Sequence, residues 1–248
     1  MKEDPDNKAS HVTPYGQETE KKEQVARMFD NIAAKYDFLN HFLSLGIDIL
    51  WRKKAVKLLT PGNPQTILDV ATGTGDFAVE ALSLKPKRVV GIDISNQMLE
   101  VGRKKMKKKK VDETVEMRYG DSENLPFDDN TFDAVTVAFG VRNFQTPVKG
   151  LAEMNRVMKP GGKTVIIEFS QPQTFPVKQA YNLYFEKLLP GVGQLFSKDN
   201  RAYTYLPESV QAFPHGEDFL DLMKKAGYKN TKATQLTFGI ASIYEGSK

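Results

Sequence analysis

Two glycines and a later aspartate stand at spacings that form a small-molecule site in parallel α/β proteins. Gly73 and Gly75 lie directly after an apolar run that ends at Val70, and helix-forming residues follow them. Glycines at such a strand-to-helix turn let the backbone approach a ligand closely, and the helix N-terminus directs free N–H groups at the same point. Asp93 ends the next apolar run, at the interval where a carboxylate accepts hydrogen bonds from two ribose hydroxyls. The spacing predicts a nucleotide cradle, and by itself it fits a nicotinamide dinucleotide as well as other adenosine cofactors.

A second acidic residue, Asp69, lies inside the first apolar run and bears on the choice of cofactor. A carboxylate just before the glycine turn suits a cationic or amine-bearing ligand better than a pyrophosphate. S-adenosylmethionine carries both an α-amino group and a sulfonium, so Asp69 favours it. The alternative is that Asp69 only accepts hydrogen bonds from the loop and caps the turn.

Polar residues also follow the third and fourth apolar runs. Asp121 and Ser122 stand where a carboxylate and a turn backbone suit an adenine amino group and ring nitrogen, although an Asx turn that closes the strand is the alternative. Arg142 and Asn143 follow the fourth run. Because the carboxyl ends of parallel strands meet at one edge of a sheet, these side chains are expected to face the same crevice.

The elements that must position these residues form a regular series. Between residues 66 and 169, five apolar runs alternate with helical segments, a pattern that predicts a doubly wound parallel α/β sheet with right-handed crossovers. A sharp turn is predicted at 159–162, before a fifth strand at 163–169. Near the C-terminus, 231–236 and 237–244 predict a β-hairpin, which brings the total to seven strands.

The N-terminal part of the chain precedes this sheet. Residues 1–22 are polar and charged, and predict a disordered tail. Apolar residues at helical spacing predict helices over 23–60, which are expected to fold over the cofactor as a lid, within a single domain spanning 23–248. Tyr36 lies where a lid would offer a polar group, but it also fits an amphipathic core residue.

Composition excludes several classes of protein. Among 248 residues there is no cysteine, which excludes disulfides, thiolate metal sites and a cysteine nucleophile, and no metal site is expected. The net charge is +4, and its one basic block, at 104–110, is better explained as a solvated helix face than as a nucleic-acid site. No run approaches the length of a membrane span and the N-terminus is too polar for a signal peptide, so a cytoplasmic location is expected.

Taken together, these motifs identify a resemblance. The glycine loop, Asp93, Gly120-Asp121-Ser122 and 158–162 resemble a class I S-adenosylmethionine methyltransferase of Rossmann-like fold. More narrowly, the chain resembles the C-methyltransferases of menaquinone and ubiquinone biosynthesis over residues 23–246. The motifs that carry this closer resemblance are Met28-Phe29-Asp30, Tyr36-Asp37, Leu50-Trp51-Arg52, Phe139-Gly140-Val141-Arg142-Asn143, Glu168-Phe169-Ser170 and Tyr205-Leu206-Pro207.

The resemblance implies S-adenosylmethionine as cofactor. By position, the implied contacts are Thr74, Asp93, Asp121 and Ser122. Two residues depart from the pattern. Ala71 replaces a glycine, which costs little unless its φ is positive, and Ala138 replaces a serine that reaches the cofactor in some relatives.

The implied acceptor is a ring carbon of a prenylated quinol. Demethylmenaquinol is favoured, and the benzoquinol precursor of ubiquinone is the alternative. From another class, an NAD(P)-dependent dehydrogenase is the second alternative, although the chain lacks a recognisable device for hydride transfer.

Methylation of a ring carbon needs an electron-rich ring, which a hydroquinone becomes when it loses a phenolic proton. Arg142 is too basic to act as the base, but its charge could lower the phenol pKa and its fork could hold an activated water. Asn143 could orient that water, and Tyr36 could relay the proton. His41 is the reserve candidate for the base.

A long insertion at 170–216 is rich in apolar side chains. So much apolar surface does not stay in water, so part of it is expected to pack inward on the substrate side. It suits a polyprenyl tail and transient contact with a membrane surface at the inner face of the cell membrane. A homodimer interface is the competing interpretation.

Overall fold

The computed structural model describes residues 12–16, 19–183 and 201–248, without the side chains of residues 38, 39, 42, 43, 202 and 203. Its centre is one seven-stranded sheet in the order β3-β2-β1-β4-β5-β7-β6. The first five strands are parallel, and β7 runs antiparallel to β5 and β6. The predicted fold class is therefore confirmed. The strands are β1 (Thr66–Val70), β2 (Arg88–Asp93), β3 (Val115–Tyr119), β4 (Phe132–Ala138), β5 (Met158–Phe169), β6 (Lys229–Leu236) and β7 (Ala241–Ser247).

Helices cover both faces of the sheet. Along β1, Ile67 and Leu68 are both fully buried but belong to two different apolar clusters, because successive side chains of a strand point to opposite faces. The described helices are α1 (Lys21–Ile32), α2 (Tyr36–Leu43), α3 (Ile47–Lys57), α4 (Asp76–Ala81), α5 (Asn96–Lys109), α6 (Pro147–Val157), α7 (Val177–Leu183), α8 (Arg201–Ala212) and α9 (Glu217–Lys225).

The predicted turn at 159–162 does not interrupt the fifth strand. Phe132 pairs with Met158 and Ala134 pairs with Lys163, so four residues of β5 bulge opposite a single residue of β4. Gly161 has a φ of +79°, which explains the turn-like sequence. The strand therefore begins five residues before the predicted start.

The C-terminal hairpin is present with different limits. Thr237–Gly239 form a 3₁₀ turn rather than the start of the second arm, which begins at Ala241. The Trp51 indole donates a hydrogen bond to the Thr237 hydroxyl over 2.9 Å, so this turn is joined to α3.

The first helix begins before residue 23, where the sequence predicts it, and the described residues that precede it contact its first turns. The α1 helix begins at Lys21, and the Gln24 side chain accepts a hydrogen bond from Tyr15 N at 2.7 Å and donates one to Gly16 O at 2.7 Å. Val12 and Tyr15 pack beside Val25 of α1. Only residues 12–16 and 19–22 of the predicted tail fall within the described residues.

Candidate active site

The glycine loop joins β1 to α4, and its two glycines serve different purposes. Gly73 has a φ of +57°, and a Cβ there would lie 3.7 Å from Cε1 of Tyr36. Gly75 has a φ of +86°, but a Cβ there would lie 2.5 Å from Cε of Met106. Gly73 thus faces the open side of the loop, whereas Gly75 faces the core, where it makes room for the methionine.

Ala71 has a φ of +51°. This is the left-handed conformation, in which an alanine costs more than the glycine that it replaces. Its methyl group lies against Gly140 at the end of β4, where an added Cβ would approach it to 2.6 Å. The loop is therefore seated directly on the fourth strand, because Gly140 leaves space for Ala71.

Asp93 lies at the floor of the cradle. Its Oδ2 accepts a hydrogen bond from Gly73 N and its Oδ1 accepts one from Ser95 N, each at 2.8 Å. Burial raises the pKa of Asp93 to about 6, and the nearby charge of Asp30 adds to the effect against these hydrogen bonds. The backbone of Ile94 also donates to this carboxylate, and Asp93 lines the space above the loop, where it faces a ligand of the cradle.

Asp69 lies beneath the loop rather than at its open face. It is 1% exposed and accepts hydrogen bonds from the hydroxyls of Thr72 at 2.6 Å and Thr136 at 2.8 Å. Burial raises the pKa of Asp69 to about 6, against these two bonds and one from the backbone of Ala78. Among the described residues, Asp69 does not line either of the two cavities described below. Its hydrogen bonds to the loop are those of a turn cap, which is the alternative considered in the sequence analysis.

Thr74 is also turned away from the open face. It is 2% exposed, its hydroxyl donates to Asp37 of α2, and it accepts a hydrogen bond from Nζ of Lys105 at 2.9 Å. Lys105 in turn lies 2.6 Å from Asp37 and 2.8 Å from Asp76. The structure thus gives Thr74 contacts to α2 and α5, and a direct contact with the cofactor stays a prediction.

Asp121 and Ser122 line the small cavity above the cradle. Oδ1 of Asp121 accepts a hydrogen bond from Glu123 N at 2.9 Å, which is the Asx-turn geometry, and its Oδ2 lies 3.6 Å from Nζ of Lys22 in α1. Asp121 can therefore form the Asx turn and at the same time face a ligand in the small cavity.

Arg142 occupies a 3₁₀ turn directly after β4 and is 8% exposed. Its Nη1 donates to Oε2 of Glu168 at 3.0 Å and to the carbonyl of Phe139, and its backbone N donates to Oε1 of Glu168 at 3.2 Å. Its Nε is buried and has no hydrogen-bond partner among the residues that the structure describes. Glu168, at the end of β5 and 1% exposed, was not predicted as a site residue, although a carboxylate that ends a buried strand beside an arginine-bearing tip is a detectable signal.

Asn143 and Tyr36 lie beside Arg142. Oδ1 of Asn143 accepts a hydrogen bond from the hydroxyl of Tyr205 at 3.1 Å. Burial raises the pKa of Tyr36, although a hydrogen bond with Asn40 and the charges of Arg142 and Arg52 act in the opposite direction. The predicted catalytic trio is therefore brought together at one place.

Two adjoining cavities meet at this place. A large one of about 660 Å³ lies between the N-terminal helices, the β4 tip and α7–α8, and a small one of about 60 Å³ lies over the glycine loop. Both are lined by Phe29, Tyr36, Phe139 and Asn143. A ligand in the large cavity would thus meet a ligand of the cradle across Tyr36 and Asn143. The predicted insertion contributes Val177, Ala180 and Tyr181 to the large cavity, while 184–200 lie outside the described residues.

Comparison with known proteins agrees with this geometry. The model of the ubiE/COQ5 methyltransferase family matches residues 17–248. The chain belongs to this family. It is an S-adenosylmethionine-dependent methyltransferase, and the dehydrogenase alternative is excluded.

Relatives of this methyltransferase support its family, and a solved structure of another protein supports its fold. A demethylmenaquinone methyltransferase of Bacteroides fragilis is 49% identical over 96% of this chain and 97% of its own length. A ubiquinone/menaquinone biosynthesis C-methyltransferase of Geotalea daltonii is 47% identical over 93% and 98%. The crystal structure of an S-adenosylmethionine-dependent methyltransferase from Thermotoga maritima superposes with a TM-score of 0.62 at 24% identity, covering 90% of this chain and 98% of that one.

The described part of the methyltransferase contains no helix that is both long and apolar enough to cross a membrane.

The raised pKa of Asp93 predicts a pH limit for cofactor binding. Only the ionised carboxylate accepts hydrogen bonds at both oxygens, so affinity for S-adenosylmethionine should be steady above pH 7 and fall by up to about tenfold per pH unit below the pKa of about 6. Calorimetric titration from about pH 5 to pH 8 measures this. Asp93→Asn should bind more weakly by about 2 kcal/mol and lose the pH dependence. An unchanged slope in that variant would assign the titration to Asp69 instead.

Proposed function

We propose that this methyltransferase transfers the methyl group of S-adenosylmethionine to a ring carbon of a prenylated quinol, with demethylmenaquinol as the acceptor. The observation that carries the proposal is the junction of the two cavities. A large, mostly apolar space ends in arginine, asparagine and tyrosine side chains at the point where it adjoins the cradle. The names of the relatives supply the acceptor class.

The cradle fits the adenosine half of the cofactor. Asp93 would accept the two ribose hydroxyls, Asp121 and Ser122 lie where the adenine would bind, and Gly73 leaves space for the ligand beside Tyr36. Asp69, Thr74 and Gly75 shape the loop from below through their contacts with Thr136, Lys105 and Met106, and their direct contacts with the cofactor stay predictions. When bound, the cofactor supplies an electrophilic methyl group on a sulfonium.

The reaction needs little covalent chemistry from the protein. An electron pair of the quinol ring forms the new carbon–carbon bond, the methyl–sulfur bond breaks with its pair passing to sulfur, and the displaced ring proton leaves to restore aromaticity. Before this step a phenolic proton must be lost. The role of the chain is therefore to stabilise a phenolate and to exclude water.

Arg142 is the residue best placed to stabilise that phenolate. It lines the large cavity, and in the described contacts its guanidinium donates through Nη1 alone, so it keeps N–H donors for a substrate oxygen. Tyr36, whose pKa is raised, stays a hydrogen-bond donor and would assist as a donor or a proton relay rather than as a base. Asn143, whose Oδ1 is fixed by Tyr205, would orient the substrate or a water with its amide.

The N-terminal helices act in this proposal as a lid. Lys22 and Phe29 of α1 form part of the wall of the small cavity, so a shift of α1 would open the cradle for the cofactor to enter. Polar contacts hold α1 in place: Asp30 accepts hydrogen bonds from the Ser95 hydroxyl at 2.6 Å and Gln97 N at 3.0 Å, at the start of α5.

A membrane surface is the proposed source of the acceptor, reached from the cytoplasmic side. Four exposed apolar side chains belong to residues that line the large cavity or lie within two positions of one: Leu45 is 91% exposed, Phe175 81%, Phe238 77% and Leu50 62%. Leu45 and Leu50 line the cavity itself, and Phe238 follows the lining residue Thr237. An exposed apolar patch at the entrance of an apolar cavity fits a lipid-dissolved substrate.

Binding to the bilayer should depend on this patch. Leu45→Ser with Phe238→Ser should reduce co-sedimentation with anionic lipid vesicles by about fivefold or more, because two large apolar side chains no longer enter the interface. Tyr119→Ser, which removes an exposed ring that lines neither cavity, is the matched control. If the double variant instead keeps its vesicle binding and changes a concentration-dependent dimer in ultracentrifugation, the patch is a homodimer interface.

Turnover should require the reduced ring, because only a quinol has an ionisable hydroxyl beside the acceptor carbon. Radiolabelled S-adenosylmethionine with demethylmenaquinol under anaerobic conditions measures this, with the oxidised quinone as the control. The reduced demethylated precursor of ubiquinone, assayed in parallel, decides between the two acceptors. Equal rates with the quinone would contradict the phenolate mechanism.

Removal of Arg142 should lower kcat by about 10² or more, because its interaction strengthens as the phenolate forms, while cofactor affinity stays constant. Arg142→Ala alone leaves Glu168 as an unpaired buried charge and should also destabilise the protein by about 3 to 5 kcal/mol. The double variant Arg142→Met/Glu168→Gln removes both charges and restores stability without restoring kcat. A stable double variant with the original kcat would leave Arg142 a purely structural role.

A further inference from the structure

A second arginine of the large cavity has no role in the scheme above. Arg52, on α3, is 7% exposed and lines the large cavity. One of its guanidinium nitrogens, Nη1, donates to Oδ2 of Asp48 one helical turn earlier. Among the described residues its Nε, which is buried, has no hydrogen-bond partner. The guanidinium therefore uses only one of its three nitrogens in the described contacts and keeps donors for a ligand at the wall of the cavity.

Arg52 and Arg142 share the same arrangement. Each donates one guanidinium nitrogen to a buried carboxylate, Asp48 or Glu168, and each has an Nε without a partner among the described residues. Both arginines line the large cavity together with Tyr36, and the charges of both act to lower the pKa of the Tyr36 hydroxyl. The cavity therefore offers two cationic donors rather than one.

Asp48 is held firmly by other partners. The Ser44 hydroxyl donates to its Oδ1 at 2.6 Å, and Nδ1 of His41 lies 3.0 Å from its Oδ2. Because Asp48 is fixed from the α2 side, it fixes the guanidinium of Arg52 in turn. A preorganised donor binds a ligand oxygen without a further loss of side-chain freedom.

A 1,4-quinol presents two oxygens on opposite sides of its ring, and the acceptor carbon lies beside only one of them. Arg142 suffices for the oxygen next to the acceptor carbon. We propose that Arg52 donates a guanidinium N–H that Asp48 does not occupy to the remote hydroxyl, so that the site selects rings that carry two para oxygens. This inference rests on the proposed function, since it assumes that the quinol ring occupies the large cavity.

Equilibrium binding tests the inference without turnover. Anaerobic calorimetry compares a short-chain prenylated 1,4-dihydroxynaphthalene with an analogue that keeps the hydroxyl beside the acceptor carbon and has hydrogen at the remote position. The native protein should bind the diol about tenfold or more tightly, the range for a hydrogen bond to a charged donor. In Arg52→Met the two affinities should agree within about twofold, because only the diol loses a bond.

Two further variants separate recognition from folding. Arg52→Met/Asp48→Asn removes the pair as a neutral unit and should show the same loss of preference with native-like stability. Arg156→Met, which breaks the pairs of Arg156 with Glu153 and Asp129, lies outside both cavities and should keep the preference.

The inference is overturned if the native protein binds both ligands equally or neither, or if the Arg52 variants weaken both ligands alike and so keep the preference. Absence of methyl transfer to a diol that binds with the expected preference would instead count against the proposed reaction and leave the binding inference supported.

Discussion

The buried carboxylate of Asp69 joins three elements on which the site depends. It accepts hydrogen bonds from the loop at Thr72, from β4 at Thr136 and from the backbone of α4 at Ala78. A carboxylate in an apolar interior is tolerated only when it is fully hydrogen-bonded, so each partner is held in a fixed position. The position of the glycine loop against β4, and hence the contact between Ala71 and Gly140, follows from this arrangement. The tip of β4 then carries Arg142 to the edge of the cradle.

Charged groups also connect the cradle with the large cavity. Lys105 of α5 contacts Asp37 and Asp76, Nε2 of His41 lies 3.4 Å from Asp76, and Nδ1 of His41 lies 3.0 Å from Asp48, which holds Arg52. The series runs from beneath the glycine loop to the wall of the large cavity. Hydrogen bonding and the charges of Arg52 and His41 lower the pKa of Asp48 despite the opposing effect of its burial. On α3 this polar series adds to apolar contacts, because Trp51, Ala55 and Val56 belong to the buried core on one face of the sheet.

Much of this organisation is readable from the sequence because it rests on local patterns. Apolar runs locate β1 to β4 within a residue or two, and the order of polar residues at the strand ends brings Asp93, Asp121 and Arg142 to one edge. What sequence reasoning misses depends on tertiary contacts. The bulge at 159–162 keeps its turn-like residues inside β5 because β4 pairs on both sides of it. The orientations of Asp69, Thr74 and Gly75 depend on Thr136, Lys105 and Met106, which lie on other elements. The roles of Glu168 and Arg52 can be inferred only from the structure, because they depend on ion-pair partners elsewhere in the chain and on the large cavity.

The cover that α1 forms over the cradle has a consequence for how fast the cofactor is exchanged. If α1 moves aside to let a ligand pass and then closes again, the contacts that hold Asp30 to the start of α5 are the same in the free and the bound protein. These contacts then leave the dissociation constant unchanged and slow entry and exit by the same factor, because both wait for α1 to be displaced. Spent cofactor leaves through the same opening, so the strength of these contacts sets both how long water is excluded and how soon fresh cofactor can bind.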